Sequence, residues 1–320
     1  MTTVIIARLA AIFAVIAIGY GFGRTRLLRG EQPLEALTAV AFYILTPALL
    51  FRLTATIDLG DLPWVVILVY FGPTVGLLFV VYLWQRYRRT PEDPVAGPGI
   101  RAISVTFSNS VQLGIPVVVG IFGDEGLAVH VAIVSVHALT LLTILTVLVE
   151  LDLARADTTR GGSVLSTAFT TAKRTVLHPV VLPVIVGLVW NVTNLRIPDP
   201  VDDVLQTLGQ GVVPVCLVLI GLSLAHYGVT GVGWPALWLG AAKLVLMPAL
   251  VLGVAYAAGV RGIALEVTVL FAALPIGSNA LLFAQRYKAL EAETTAAIVA
   301  STLAFVVTGP AWILATHALS

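Results

Sequence analysis

The sequence predicts an all-α polytopic membrane protein: ten transmembrane helices forming two inverted five-helix repeats, with the fourth and ninth helices broken. Three observations lead there. The 320 residues are 58% hydrophobic and only 11% charged, against about 25% charged in a soluble domain, and the mean hydropathy of +1.00 agrees. Apolar stretches of about 20 residues, long enough to cross a bilayer as a helix, recur along the whole chain. Two of these stretches are interrupted, at Ser108-Asn109-Ser110-Val111-Gln112-Leu113-Gly114-Ile115-Pro116 and at Leu274-Pro275-Ile276-Gly277-Ser278-Asn279. Proline lacks the backbone N–H and clashes with the preceding turn, so the first break is expected near Gly114–Pro116. In hydrocarbon a broken helix survives only where it is buried in protein or lines a cavity. Two interrupted helices in corresponding positions of two halves point to a transport site.

The spans fall near 4–22, 33–55, 63–84, 101–121, 127–149, 178–195, 202–225, 234–258, 263–286 and 294–316. The first stretch, Val4–Tyr20, lacks a small-residue cleavage site and is followed by Gly23-Arg24-Thr25-Arg26, so it reads as a retained helix rather than a signal peptide. The longest polar connection, Asp152 to Arg174, divides the chain into a first repeat at 1–150, a cytoplasmic linker at 151–177 and a second repeat at 178–320. Of the 18 Lys and Arg residues, 13 fall in loops that share one side and four on the other. The basic side is the cytoplasm, which puts both termini outside. An odd number of spans per half inverts the second half relative to the first. Prolines recur in the same order in both halves: Pro47, Pro73 and Pro116, then Pro214, Pro248 and Pro275.

The candidate binding residues are Asn109, Gln112, Gly114 and Pro116 on the fourth span, and Pro275, Gly277, Ser278 and Asn279 on the ninth. The second half-helices are expected to begin near Pro116 and Ser278. If the unwound points cross, two helix N-termini face one spot, where free N–H groups and the positive dipole ends favour an anion. The amides of Asn109 and Asn279 add donors without fixed charge, suited to a carboxylate that must be released again. Lys243 is the only Lys or Arg well inside a span. It lies roughly 13 Å deep, counting helical rise from Trp234. Its partner would be backbone carbonyls, a mobile anion, or Gln206 and Gln210, and its role either charge compensation or a structural cation on the broken backbone.

His130, Ser135, His137 and Thr140 run along the fifth span, where His137 reads as a helix-packing hydrogen-bonder. Asp124-Glu125 and Asp202-Asp203 read as solvated acids. Cys216 reads as a small buried hydrophobe. No metal-ligand spacing or Cys pair occurs, and no cofactor is expected. No Gly-x-Ser-x-Gly, His-Glu-x-x-His or Walker pattern occurs, which argues against an enzyme and against ATP hydrolysis. The net charge of +1 gives no basis for a nucleic-acid partner. Polar residues clustered at two breaks favour a carrier over a channel, which would show a continuous polar stripe.

These stretches resemble the auxin efflux carrier family, which includes bacterial carriers and the plant PIN carriers. Asn109 to Pro116 is similar to the family's Asn-x-x-x-x-Gly-x-Pro stretch. Pro275 with Phe283-Ala284-Gln285-Arg286-Tyr287 is similar to its ninth-span Pro…Phe-Ala-x-x-Tyr stretch. The resemblance covers nearly the whole chain. It implies a fold related to bile-acid and sodium/proton carriers, with a scaffold of helices 1, 2, 6 and 7 and a mobile transport part of helices 3–5 and 8–10. It implies elevator-type carriage of a small organic anion, such as an auxin-like monocarboxylate or a malonate-like dicarboxylate, across the cell membrane, with Asn109 on the carboxylate. It also implies a homodimer through the second and seventh spans, where Ala36, Ala39, Gly221 and Ala225 give small-residue faces. The partners expected are therefore a small organic carboxylate, membrane lipid and a second copy of the chain. Alternative readings are an ion-coupled carrier of larger amphipathic anions and an anion channel. Two departures stand out. The plant carriers have a second proline after the ninth-span glycine, where this chain has Ser278-Asn279-Ala280. The acidic residue expected in their third helix is absent from Val65–Tyr82. Driving ion and auxin specificity therefore do not carry over.

Overall fold

The computed structural model describes residues 2–56, 64–156, 181–227 and 233–319. Most of the expected linker at 151–177, from residue 157 on, and the start of the sixth span lie outside the described residues. The structure is helical throughout: α1 Thr2–Gly23, α2 Glu31–Val40, α3 Thr46–Thr56, α4 Trp64–Arg88, α5 Gly97–Thr106, α6 Ile115–Ala156, α7 Val181–Val192, α8 Asp199–Gln210, α9 Val212–Tyr227, α10 Trp234–Ala241, α11 Met247–Ala257, α12 Gly262–Ala273, α13 Asn279–Tyr287 and α14 Glu291–His317. Among the described residues the one strand-like feature is a single antiparallel bridge between Ser108 and Ile276. Among the described residues six continuous helical stretches are long and apolar enough to cross a membrane: Gln32–Thr56, Trp64–Arg88, Ser110–Leu153, Asp199–His226, Trp234–Ala257 and Glu291–His317. The stretch through α6 is long enough for two crossings. Gly123 divides it with φ 66° and ψ −152°, a conformation open to glycine and hardly to any residue with a Cβ.

Among the described residues three wide π-turns lead into α-helices: π1 Ala41–Leu45, π2 Ser110–Gly114 and π3 Ala242–Leu246, of which π1 and π3 also follow an α-helix directly. Each is followed, one residue later, by a proline: Pro47, Pro116 and Pro248. A proline offers no N–H to the carbonyl four residues back and presses its ring against it. A π-turn holds an extra residue and bonds five residues apart, which relieves that crowding without ending the helix. The mid-span prolines thus bend the helix ladder in π1 and π3 rather than break it. Pro214 differs from Pro47: the helix is interrupted just ahead of it, at Gly211.

The chain forms two compact units that alternate along the sequence. The first contains 1–64, 110–135 and 177–228, and the second 65–109, 136–176 and 229–320. In the first unit α1 and α9 cross at contact distance through glycines. A Cβ built on Gly19 would lie 2.4 Å from the Val218 carbonyl oxygen, and one on Gly221 2.1 Å from that of Ile16. Gly221 and Ala225 therefore face α1 of the same chain, and their small-residue face is not open to a second copy as expected above. Arg52 on α3 makes a paired hydrogen bond to Asp202 on α8, at 2.7 and 3.0 Å. Asp202 is thus an ion-pair partner, while Asp203, Asp124 and Glu125 are exposed. Cys216 is buried.

In the second unit one end is tied together by charge. Arg86 pairs with Asp152 at 3.0 Å, and Tyr82 donates to the same carboxylate at 2.5 Å. Arg101 makes a paired bond to Glu293 at 2.9 and 3.2 Å and reaches Gln85 at 3.0 Å. Tyr287 donates to Glu150 at 3.0 Å. Trp84 and Trp238 stack edge to face at this end, with ring centroids 5.9 Å apart. In the loop there, the Thr90 N–H and hydroxyl both donate to Asp93 and hold its carboxyl below the usual range.

Candidate functional site

The two interrupted stretches meet inside the second unit. Helix α5 ends at Thr106 and Phe107 turns to extended backbone. At residues 107–109 the backbone leaves the helix and pairs instead with the segment after α12. The break therefore lies at Phe107–Asn109, ahead of the expected Gly114–Pro116. The reason is π2: it starts the next helix at Ser110 and absorbs Pro116. Helix α12 ends at Ala273, Leu274 is extended and α13 begins at Asn279, near the expected Ser278.

The two extended segments pair as a miniature antiparallel ribbon. The Asn109 N–H donates to the Pro275 carbonyl at 2.8 Å, and the Gly277 N–H to that of Phe107 at 2.9 Å. This pairing requires glycine at 277, because a Cβ there would lie 2.8 Å from the Ser108 carbonyl oxygen and 2.9 Å from the Phe107 ring. Broken helices leave backbone groups that burial makes costly unless they are bonded. Here most are met by side chains. The Ile276 N–H donates to the Ser301 hydroxyl at 3.2 Å, the Ser108 hydroxyl to the Phe271 carbonyl at 2.8 Å, and the Ser108 N–H to His137 Nε2 at 3.3 Å. Lys243, fully buried on π3, donates through Nζ to the Ala272 carbonyl at the end of α12. Of the partners considered for it, the structure shows a backbone carbonyl; Gln206 and Gln210 are exposed on α8. A donor at Ala272 meets one of the carbonyls that the end of a helix leaves without an intrahelical partner.

Other polar groups at the crossing stay open. The side chains of Asn109, Ser278 and Asn279 are half-buried and make no hydrogen bond among the described residues, nor do the N–H groups of Ser278 and Asn279 that head α13. Asn109, Pro275, Gly277, Ser278 and Asn279 thus share one unit and one locus. Gln112, half-buried, and Gly114 and Pro116, buried, belong to the first unit. Sequence reasoning missed Ser301 and Tyr70, whose hydroxyl lies 3.3 Å from His137 Nδ1. The signal available was a polar side chain within an otherwise apolar helix. Among the described residues no three His, Cys, Asp or Glu are placed to hold a metal ion.

The chain as a whole has relatives among known proteins. Residues 4–313 match the family model described as membrane transport protein. The chain is 28% identical to the YfdV transporter of Escherichia coli over the whole of both chains. It is 26% identical to a putative malonate transporter of Rhizobium meliloti, over 96% of this chain and 95% of that one. It is 24% identical to auxin efflux carrier component 8 of Arabidopsis thaliana, over 78% and 77%. These are names of membrane transporters, not of enzymes. By a match that runs almost from end to end, the chain is a membrane transporter of the auxin efflux carrier family.

Proposed function

We propose that the protein carries a small organic carboxylate, malonate-like or auxin-like, by alternating access. The observation that carries this is the open set of donors at the crossing: the Asn109 and Asn279 amides and the Ser278 and Asn279 N–H groups. They lie around the start of α13 and the paired segments beside it, in a locus whose remaining backbone groups are largely bonded internally. Such a set binds an anion without a fixed countercharge. The Rhizobium meliloti relative, named as a putative malonate transporter, agrees in substrate class. In this reading the chain has ten spans in two inverted repeats, and the scaffold of helices 1, 2, 6 and 7 supports elevator-like movement of the rest as a homodimer. The direct test is stabilisation by ligand. A carboxylate that binds the native state raises the melting temperature by mass action, and the same compound should drive saturable counterflow in liposomes. A panel of organic acids that includes malonate and indole-3-acetate, with no member raising the melting temperature, rejects the reading.

Asn109→Ala removes one donor to a charged partner, worth about 1.5–3 kcal/mol, so affinity should fall roughly tenfold to a hundredfold. The protein should still fold, because the Asn109 side chain makes no hydrogen bond among the described residues. Unchanged affinity in the folded variant removes Asn109 from the site. The charged end of the second unit, with Arg86, Arg101 and Arg286, is placed in the cytoplasm by the basic-loop rule, with both termini outside. A Thr158→Cys substitution in a Cys216→Ala background should resist an impermeant thiol reagent in intact cells and react after permeabilisation. Labelling of intact cells reverses the topology.

A further inference from the structure

His137 lies at the centre of the crossing although no ligand need touch it. It is 1% exposed, on the part of α6 that belongs to the second unit. Aromatic rings from three elements wall it in: Phe107 after α5, with ring centroids 4.5 Å apart, Phe271 of α12 at 5.1 Å, and Tyr70 and Phe71 of α4 at 5.8 and 6.3 Å. Both ring nitrogens are engaged, Nε2 by the Ser108 N–H and Nδ1 by the Tyr70 hydroxyl, each at 3.3 Å. A backbone N–H only donates, so Nε2 presents its lone pair and the ring proton sits on Nδ1, facing Tyr70.

Ser108 is the residue this bond controls. Its hydroxyl is fixed on Phe271, its backbone pairs with Ile276, and the next residue is Asn109. The peptide leading into Asn109 is therefore set by His137 on one side and by the ribbon on the other. We propose that His137 is a positioning residue for the carried anion: its uncharged ring holds Ser108, and so aims the Asn109 amide, which makes binding depend on the ring staying uncharged. This rests on the assignment of Asn109 to the carboxylate. A proton added at Nε2 would set N–H against N–H and release Ser108. Among the described residues the titratable groups that meet the cluster include Tyr70, on Nδ1, and Lys243, whose Nζ is bonded to Ala272, the residue after Phe271.

The test compares the wild type, His137→Gln and His137→Leu as purified, reconstituted full chains. Glutamine places an acceptor oxygen about where Nε2 lies and does not titrate; leucine offers none. One arm measures malonate affinity at about pH 8 and about pH 6, across the range where histidine changes charge. The other measures amide exchange at Ser108 without ligand. Loss of the bond should weaken malonate binding by about tenfold in His137→Leu and speed exchange at Ser108. His137→Gln should keep wild-type affinity at the higher pH and slow exchange, and should lack part of the wild type's loss at the lower pH. Titration of malonate itself is common to all three proteins, so the wild-type and glutamine difference isolates the ring. A folded His137→Leu protein with wild-type affinity, or identical pH profiles for the wild type and His137→Gln, overturns the proposal. If His137→Leu does not fold, the glutamine comparison decides. If malonate fails to bind the wild type, that failure counts against malonate as the carboxylate. The exchange arm then judges His137 alone, and equal Ser108 exchange in the wild type and the variants overturns its role.

Discussion

Gly277→Val should abolish transport and leave a protein with a sharply lowered melting temperature. The added Cβ meets the Ser108 carbonyl oxygen at 2.8 Å and the Phe107 ring at 2.9 Å, and the first of these is backbone that cannot swing aside. Relief requires the two extended segments to part, which costs the Asn109 to Pro275 and Gly277 to Phe107 hydrogen bonds. Overpacking costs about 1–3 kcal/mol and each lost bond about 0.5–1.5 kcal/mol, so the sum is about 2–6 kcal/mol. Native proteins hold only about 5–15 kcal/mol in all. Gly277→Ala carries the same first methyl and should show most of the effect. Melting curves of the two variants in detergent, set beside flux in liposomes, check this. A stable Gly277→Val protein with normal flux would mean that the ribbon is not required.

Lys243→Ala should lower stability by about 2–4 kcal/mol, since it empties a buried side-chain volume and leaves the Ala272 carbonyl without its donor. Lys243→Met keeps the volume and loses only the donor, at about 1–3 kcal/mol. Because the lysine is bonded to the end of α12 rather than to a carboxylate side chain, both variants should lose exchange and net flux in proportion. Exchange spared while net flux falls, in folded Lys243→Met, would instead assign the ammonium to balancing the empty carrier. Thermal unfolding and both flux modes on one preparation separate the two outcomes.

The helical class, the approximate spans and the two interruptions were legible because apolar length and Gly-Pro punctuation are local properties. The place of the first break was not. Pro116 looks like the breaker in isolation, but a π-turn lets a helix carry a proline, and the turn's extra residue leaves no compositional mark. The backbone of residues 107–109 leaves α5 to pair with the segment after α12. The pairing of Ser108 with Ile276, and the Lys243 contact to Ala272, join residues far apart in sequence, and a carbonyl acceptor has no side-chain identity to read. Gly221 and Ala225 show a different ambiguity. Small residues on an apolar helix announce a close helix neighbour, but not whether that neighbour is α1 of the same chain or another copy.

The short ribbon between the two breaks has a consequence for the energetics of carriage. It joins Asn109 to Pro275 and Phe107 to Gly277, with Ser278 and Asn279 directly following, within one unit. A site welded in this way would, in the proposed cycle, travel as a finished object, and its donors would not have to be reassembled on the far side. In the proposed cycle the intrinsic dissociation constant would then be the same facing either compartment. Any difference in half-saturation between the two faces would come from the resting preference of the empty protein and from the membrane voltage acting on the anion. Direction would be a property of gradients, and the same molecule would import or export as they reverse.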